Sequence, residues 1–305
     1  MVSLDIVIVN WNSGELLNNC LNSVEKSNLQ GLLINIIVVD NGSSDDSLRR
    51  ISSNIKYNLI QKNENIGFAQ ACNIGLLQSS SKYILFLNPD TEVREDTFLK
   101  AVYKMEENNN ISVLGVKYID ENGDIAPSCA RFPKVRYYFY DIIGLSKICP
   151  KKYHHATIMS DMDFSKSAFV DEVSGAFFFC RRSVLDRVGG FDERFFVYYE
   201  ELDLSYRIKK SGGLTYYDAD NEIYHKGCGV SDQVKAKRLF YVLRSRIKYA
   251  FKNFNVVNAV VLFILTMFIE PFSRLLYLII SGRFSEIREL IGGYYYLFRY
   301  HMFRY

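Results

Sequence analysis

Five prolines and one tryptophan are spread over 305 residues, and the 18 glycines form no phosphate-binding loop of a familiar kind. No Gly-x-Gly-x-x-Gly follows the first strand pattern and no Gly-Lys-Ser/Thr appears, so neither a dinucleotide site nor a P-loop is supported. The six cysteines, Cys20, Cys72, Cys129, Cys149, Cys180 and Cys228, include no Cys-x-x-Cys pair. Neither a zinc cluster nor a disulfide framework is therefore indicated, and a reducing cytosol is the simplest home. Met1 runs directly into a strand pattern without a charged and then apolar leader, so export is not expected. In that setting the sequon Asn41-Gly42-Ser43 is chance.

What is present is apolar material enough for a full core, 49% of the residues, which suits one large domain or one domain with an appendage. The net charge of +3 is unevenly placed. Up to Val234 there are 25 Lys and Arg against 31 Asp and Glu; from Lys235 onward there are 12 against 3. We accordingly divide the chain into a domain over 1–234 and a helical, basic extension over 235–305. No nucleic-acid partner is expected.

Short apolar runs alternate with helical periodicity from the start. Leu4 to Val9 ends in Asn10-Trp11-Asn12 and is followed by a helix bearing Leu16, Leu17, Cys20, Leu21 and Val24. Leu32 to Val39 ends in Asp40-Asn41-Gly42-Ser43-Ser44-Asp45, where Ser44 or Asp45 could cap a helix through Leu48 and Ile51. Tyr57 to Gln61 leads into Asn63-Glu64-Asn65-Ile66-Gly67-Phe68-Ala69 and a helix carrying Asn73. Such alternation predicts a mainly parallel α/β sheet with right-handed crossovers. Its strand ends would gather Asn10, Asp40, Asn65 and Asp90 on one edge.

The fourth strand, Tyr83 to Leu87, is the centre of the reading. It reads as buried on both faces and stops at Asn88-Pro89-Asp90, since Pro89 cannot donate to a ladder. Ligands of open α/β sheets bind at such carboxyl edges. An amide oxygen and a carboxylate there suit Mg²⁺ or Mn²⁺ carrying a diphosphate, although Asn-Pro-Asp is also ordinary turn chemistry. Further on, a helix is expected from Glu95 to about Glu107, a strand near Val113 to Val116, and a turn at Asp120 to Asp124. Ala126 to Ser167 has no clean period and reads as a long surface excursion. His154-His155 within it read as solvated, without a third ligand nearby. Strands are expected at Ala168 to Val173, Ala176 to Cys180, Leu214 to Tyr217 and Glu222 to His225. Between them, Phe195 to Arg207 reads as an aromatic loop opening a helix.

The order of these motifs resembles the inverting glycosyltransferases of family 2, with the GT-A fold, and within them the rhamnosyltransferase group. Seven segments carry the likeness across residues 4 to 232: Val9-Asn10-Trp11-Asn12; Val38 to Asp45; Asn63 to Gly75; Leu87-Asn88-Pro89-Asp90; Ser174-Gly175-Ala176; Val188-Gly189-Gly190-Phe191-Asp192-Glu193; and Tyr199-Glu200-Glu201-Leu202-Asp203-Leu204 with Arg207, before His225-Lys226-Gly227. The resemblance implies a nucleotide-diphospho-sugar donor, held through Asn10, Asn12, Asp40, Asn41, Asn65, Gly67, Asn73 and Asn88. It implies a divalent metal at Asp90 with His225 beside it. Where many relatives have Asp-x-Asp, this chain has Asn88-Pro89-Asp90, one carboxylate fewer. The literal Asp161-Met162-Asp163 and Asp218-Ala219-Asp220 do not follow the central strand and are decoys. The catalytic base belongs among Glu200, Glu201 and Asp203; the resemblance favours Glu201. Glu200 and Asp203, three apart on a helix, share a face and could pair with Arg207.

A donor of L-rhamnose, dTDP-rhamnose, and a glycan or lipid-linked glycan acceptor follow from the subgroup likeness. A nucleotidyltransferase would want a basic, glycine-rich loop after the first strand, where this chain has Asn10-Trp11-Asn12-Ser13-Gly14. A non-catalytic sugar-nucleotide-binding membrane protein is the other alternative. The C-terminal run Val256 to Ile269 is apolar but broken by Glu270-Pro271, too short for a simple span. In-plane or re-entrant helices on the inner face of the cell membrane are expected, with Arg244, Arg246, Lys248 and Lys252 meeting anionic lipid.

Overall fold

The computed structural model describes residues 1–227 and 235–302. In chain order the elements are β1 Val2–Asn10, α1 Leu16–Glu25, β2 Leu32–Asp40, β3 Asn58–Gln61, α2 Phe68–Leu77, β4 Tyr83–Leu87, β5 Thr91–Val93, α3 Thr97–Glu107 and β6 Ile111–Ile119. Then come β7 Ile125–Ala126, β8 Cys129–Ala130, α4 Val135–Ile142, α5 Leu145–Ile148, β9 Ala168–Val170, β10 Glu172–Val173, β11 Phe177–Arg181, α6 Arg182–Val188, α7 Glu200–Lys210 and β12 Leu214–His225. The last helices are α8 Lys235–Asn253, α9 Val256–Ile264, α10 Glu270–Ile280 and α11 Ile287–Met302.

These form two compact units: 1–130, 162–193 and 200–230 in the first, and 131–161, 194–199 and 231–305 in the second. The first is built on a ten-stranded sheet with its main path β3-β2-β1-β4-β11-β6-β12-β5. β3, β2, β1 and β4 run parallel, as the strand and helix alternation predicts. β11 enters antiparallel between β4 and β6, and β12 lies parallel to β6. β4 is buried throughout, the two-faced burial that its unbroken apolar run anticipates. The expected pair of strands over 214–225 is one long strand, bent by an irregularity between Asp218 and Glu222.

One expectation in this unit is corrected. No helix forms over Leu48 and Ile51; Asp46 closes only a turn, its carbonyl accepting the N–H groups of Arg49 and Arg50. The candidate cap, Asp45, instead accepts from Ser47 and from the Gly14 N–H, and Leu48 and Ile51 pack against the core without helical backbone. The loop between β4 and β5 is a genuine turn, closed by Thr91 donating to the Asn88 carbonyl from both its N–H and its hydroxyl.

The second unit corrects the reading of 126–167 as a surface excursion. Tyr137 and Tyr138 of α4 are buried and pack with Ala250, Ala259 and Leu262. The tyrosine cluster supplies apolar area to a helical core, which explains why it had no loop-like composition. His155 faces Asp141 at 2.8 Å and His154 faces Asp161 at 3.2 Å, so each has an acidic partner. Glu270-Pro271 does not break the C-terminal run: Val256–Ile280 is one helical stretch of 25 residues, with mean hydropathy 2.0. A π-helical turn at Leu265–Ile269 precedes Pro271, giving the proline ring the room that regular α-helix would deny it. By length and composition this stretch could cross a membrane. Its inner face is nevertheless occupied: Arg246 of α8 donates to Glu270 at 2.5 Å, Arg274 donates to the same carboxylate at 2.8 Å, and Glu270 is 3% exposed.

Candidate active site

The parallel register sets Asn10 directly beside Asp40 at the carboxyl ends of β1 and β2. Asn10 is fully buried, and its amide group donates to Asp40 Oδ1 at 2.7 Å and to the hydroxyls of Ser43 and Ser47 at 3.1 and 2.9 Å. Its oxygen accepts from Ser13. Asn12 sits in the left-handed region, φ +48°, and its side-chain oxygen accepts from the Ser44 and Asp45 N–H groups. Both asparagines therefore shape the loops around Asp40.

Asn41 performs the same task for the next loop. It donates to Asn65 Oδ1 at 3.1 Å and to the Gly67 carbonyl at 3.3 Å, and accepts from the Ile66 N–H at 3.0 Å. Asn65 accepts in turn from the Gly67 N–H. Between Asp40 and this loop Gly42 has φ +71°, and a Cβ there would overlap the Glu64 backbone, so the two strand-end loops meet only because the residue is glycine. Asn73 is committed elsewhere in the unit: its amide clasps the Phe191 backbone in both directions at 2.8 Å and donates to Glu193. It ties α2 to the Gly189–Glu193 loop.

Around the end of β4 the contacts form a closed circuit. The Asn88 N–H donates to the Ala176 carbonyl at 3.0 Å, joining the turn to the segment before β11. Asp90, 9% exposed, accepts the Lys226 N–H on its carbonyl, and His225 Nε2 lies 3.5 Å from its Oδ1. The pairing of β12 with β5, which sets His225 opposite Thr91, brings these two groups together. The His225 ring rests edge-on against Tyr118, with centroids 5.0 Å apart. Tyr118 closes the circuit, donating to the Ser174 carbonyl at 3.2 Å and accepting from the Phe177 N–H at 2.9 Å.

A carboxylate and an imidazole side by side, with no third acidic, thiol or imidazole group gathered among the described residues, form an open donor set. Asp90 and His225 are of the donor type that would hold a divalent cation, which would supply positive charge to a diphosphate.

The segment Ser174-Gly175-Ala176 also faces α7. A Cβ on Gly175 would lie 3.5 Å from Glu201 Oε1. Glu201 is partly exposed as a whole, yet its Oε2 is buried with no hydrogen-bond partner. Burial raises its carboxyl above the usual range, against a smaller opposing effect from its own backbone and that of Gly175. Asp203 has a different fate: fully buried, it is held by Arg207 at 2.9 Å, and Arg207 also donates to the carbonyls of Val188 and Gly190. Glu200 is buried on the same turn. Tyr198 and Tyr199, immediately before it, adopt φ of +66° and +71°, a conformation that bulky residues hold only when the surroundings impose it.

One acid was missed. Glu172 on β10 is 4% exposed, and burial first, then the charge of Glu201, drive its carboxyl well up. The signal lay in Asp171-Glu172, two acids at the mouth of an apolar run, but a β-strand pattern alone does not tell which of its residues meets a helix 30 positions later.

The family model "Glycosyl transferase family 2" matches residues 5–189. The "Low-salt glycan biosynthesis hexosyltransferase Agl10" of Haloferax volcanii is 28% identical over 68% of this chain and 62% of its own length. The "N-acetylglucosaminyl-diphospho-decaprenol L-rhamnosyltransferase" of Mycobacterium tuberculosis is 25% identical over 73% of this chain and 75% of its own. Among solved structures, the Pyrobaculum calidifontis mannosyltransferase PcManGT with GDP-Man and Mn²⁺ superposes with a TM-score of 0.56 at 15% identity, covering 97% of this chain and 84% of that one. Staphylococcus aureus TarS gives a TM-score of 0.53 at 18% identity over 85% of this chain and 41% of its own. At these identities the structural likeness speaks for the fold, which is that of GT-A glycosyltransferases.

Proposed function

Because the chain belongs to glycosyl transferase family 2, we propose that this glycosyltransferase moves L-rhamnose from dTDP-rhamnose to a hydroxyl of a glycan or lipid-linked glycan, with inversion at the anomeric carbon. The observation that carries the chemistry is the Glu201 carboxyl, whose Oε1 lies beside Gly175 and whose Oε2 is buried without a hydrogen-bond partner. The rhamnosyl choice draws on the mycobacterial relative and on the Escherichia coli rhamnosyltransferase WbbL, 26% identical over 64% of this chain and 76% of its own length.

In this reading Glu201 accepts the proton of the acceptor hydroxyl as that oxygen bonds to the anomeric carbon, and the bond to the diphosphate breaks with its electron pair leaving on the diphosphate. Asp90 and His225 would hold a divalent cation, which supplies positive charge to the departing diphosphate. Asp40, steadied by Asn10, offers its second oxygen to the donor's nucleoside. Asp203 holds Arg207 and thereby the Gly189–Gly190 loop. A thermal-shift and transfer panel of dTDP-rhamnose, UDP-hexoses and GDP-mannose with Mn²⁺ tests this. Binding and transfer from dTDP-rhamnose are expected, and preference for another donor would overturn the rhamnosyl part alone.

We read the second unit as lying in the plane of the membrane's inner face. Val256, Val260, Ile264, Phe268, Phe272, Leu276 and Ile280 repeat every four residues and are each at least 40% exposed, one apolar ridge along the stretch whose other face carries Glu270. Arg244 and Arg246, expected to meet anionic lipid, are instead buried, Arg246 against Glu270, so it is the remaining basic excess of 235–305 that would complement the lipid. Phe268→Asp with Phe272→Asp is expected to abolish pelleting with phosphatidylglycerol vesicles. Unchanged pelleting, or a concentration-dependent dimer that the substitutions dissolve, would overturn the assignment.

A further inference from the structure

With Arg244 and Arg246 buried and Lys248 donating to the Arg194 carbonyl, three of the four cations assigned to lipid are engaged within the protein. Another surface of the second unit carries positive charge that nothing answers. Between Arg131 and Asp161 six Lys and Arg stand against two acids, Asp141 and Asp161. Both acids are taken, Asp141 by His155 and the Ala156 N–H, Asp161 by Arg131 and His154. Lys134, Arg136, Lys147, Lys151 and Lys152 are all exposed, and among the described residues none of the five pairs with a carboxylate.

Apolar side chains are interleaved with these cations. α4 buries Tyr137, Tyr138 and Ile142, which face the helical core. Arg136, Phe139 and Ile143, the residue that ends the helix, follow at spacings of three and four, so they share its other side. Phe139 is 42% exposed and Ile143 45%, a row of apolar surface that the core leaves over. α5 continues it with Ile148, 80% exposed beside Lys147. Lys147 in turn lies over the Tyr277 ring of α10, 3.7 Å from its centroid, a cation–π contact. Tyr277 is exposed and adjacent in the chain to Leu276 of the apolar ridge. The basic shoulder and the ridge therefore adjoin.

We propose that α4 and α5 form a second lipid-docking surface, in which Phe139, Ile143 and Ile148 enter the outer edge of the acyl layer and the five cations meet anionic phospholipid headgroups. The mixture of side chains argues for lipid over an acidic protein. An acidic partner would answer the cations alone. The boundary between headgroups and acyl chains accepts both kinds, since lysine and arginine lay their methylene stems along apolar surface while their charged ends reach the phosphates. The contact between Lys147 and Tyr277 makes this surface continuous with the ridge, so one bilayer face can take up the two together. The proposal rests on the reading of the second unit as membrane-bound and adds to it an element outside the apolar stretch.

The test uses the full chain carrying Ile148→Trp, read against the parent, whose one tryptophan is Trp11. On mixed vesicles of phosphatidylglycerol and phosphatidylcholine the added indole should shift its emission to the blue and be quenched by lipid brominated along its acyl chains. A second variant combines Lys147→Gln, Lys151→Gln and Lys152→Gln. It should bind these vesicles on the order of 100-fold more weakly, with the difference shrinking as salt is raised. Its thermal midpoint should hold, because all three side chains are exposed. An indole as wet on vesicles as in buffer overturns the proposal. So does a triple variant that binds like the parent, or binding that pure phosphatidylcholine supports equally well. Failure of the ridge reading looks different: with Phe268→Asp and Phe272→Asp in place, vesicle binding and quenching of the Ile148→Trp indole would both persist, and the shoulder would stand without the ridge.

Discussion

Two polar regions of the same unit are built on opposite terms. At the ends of β1 and β2, Asn10, Asp40, Asn41 and Asn65 answer one another donor for acceptor, so the loops they hold are rigid. At the start of α7, Glu201 keeps an oxygen in the interior without a partner, and Glu172 adds like charge beside it. A satisfied network fixes shape, whereas an unsatisfied one stores reactivity at a cost in stability. The difference separates residues that hold a donor in place from residues that do chemistry on it.

The sharpest way to break this comparison is to exchange roles within α7. Glu201→Gln should keep dTDP-rhamnose binding by thermal shift while transfer falls by roughly 10²–10⁴, the contribution of a general base. Asp203→Asn should act through Arg207 and the Gly189–Gly190 loop, lowering thermal stability and donor affinity together. Transfer lost only in Asp203→Asn, with binding intact, would move the base to Asp203.

The second unit sharpens the contrast with a buried charge that is fully answered. Arg246→Met leaves Glu270 without its closest partner, and unfolding in denaturant should register a loss of about 3–5 kcal/mol. Adding Glu270→Leu should restore most of that, because an apolar pair of similar volume removes the stranded charge. A double variant as unstable as the single one would mean that the Arg274 contact and the packing carry the energy instead.

Asn10 probes the satisfied side. Replacing it with alanine takes the amide donor away from the buried Asp40 carboxylate and from Ser47 and should cost about 1–3 kcal/mol in urea unfolding. Donor affinity should weaken with it as Asp40 loses its orientation. No loss of stability would make Asn10 a ligand contact rather than a support.

The same contrast explains what the residue pattern alone revealed. Strand ends were legible because an apolar run stopping at a polar residue is a local event, and Asn10, Asp40 and Asn88 mark them. The Asp90 and His225 meeting was half legible: each stands at a strand end, but their 3.5 Å approach depends on β12 crossing to β5. Asn73 was ambiguous, since an asparagine early in a helix after a glycine loop points equally well to a ligand or to a backbone such as that of Phe191, which it clasps. Glu172 was invisible because its partner lies on an element packed from afar. The helix expected at Leu48 failed for a local reason: Asp45 and the serines around it spent their side chains on neighbouring loops, as such residues do when backbone groups of a turn are within reach.

The smallest effect expected concerns the stability cost of the unsatisfied pair, and its sign follows from burial. The carboxyls of Glu201 and Glu172 are raised in the folded chain, so folding favours their protonated forms. Their contribution to stability is complete below the ordinary glutamate pKa of about 4.3 and is lost as pH rises through the higher folded values. Glutamine cannot ionise, so Glu201→Gln should escape that loss. At pH 8 the variant should be more stable than the unsubstituted protein by about 1 kcal/mol, the usual size of a stability gained by surrendering function. At pH 4, where the glutamates are already protonated, the two should unfold alike. Thermal melts at the two pH values decide it: a variant less stable at pH 8 would mean that the Glu201 carboxylate is held by favourable contacts, and would remove the physical basis for treating it as a poised base.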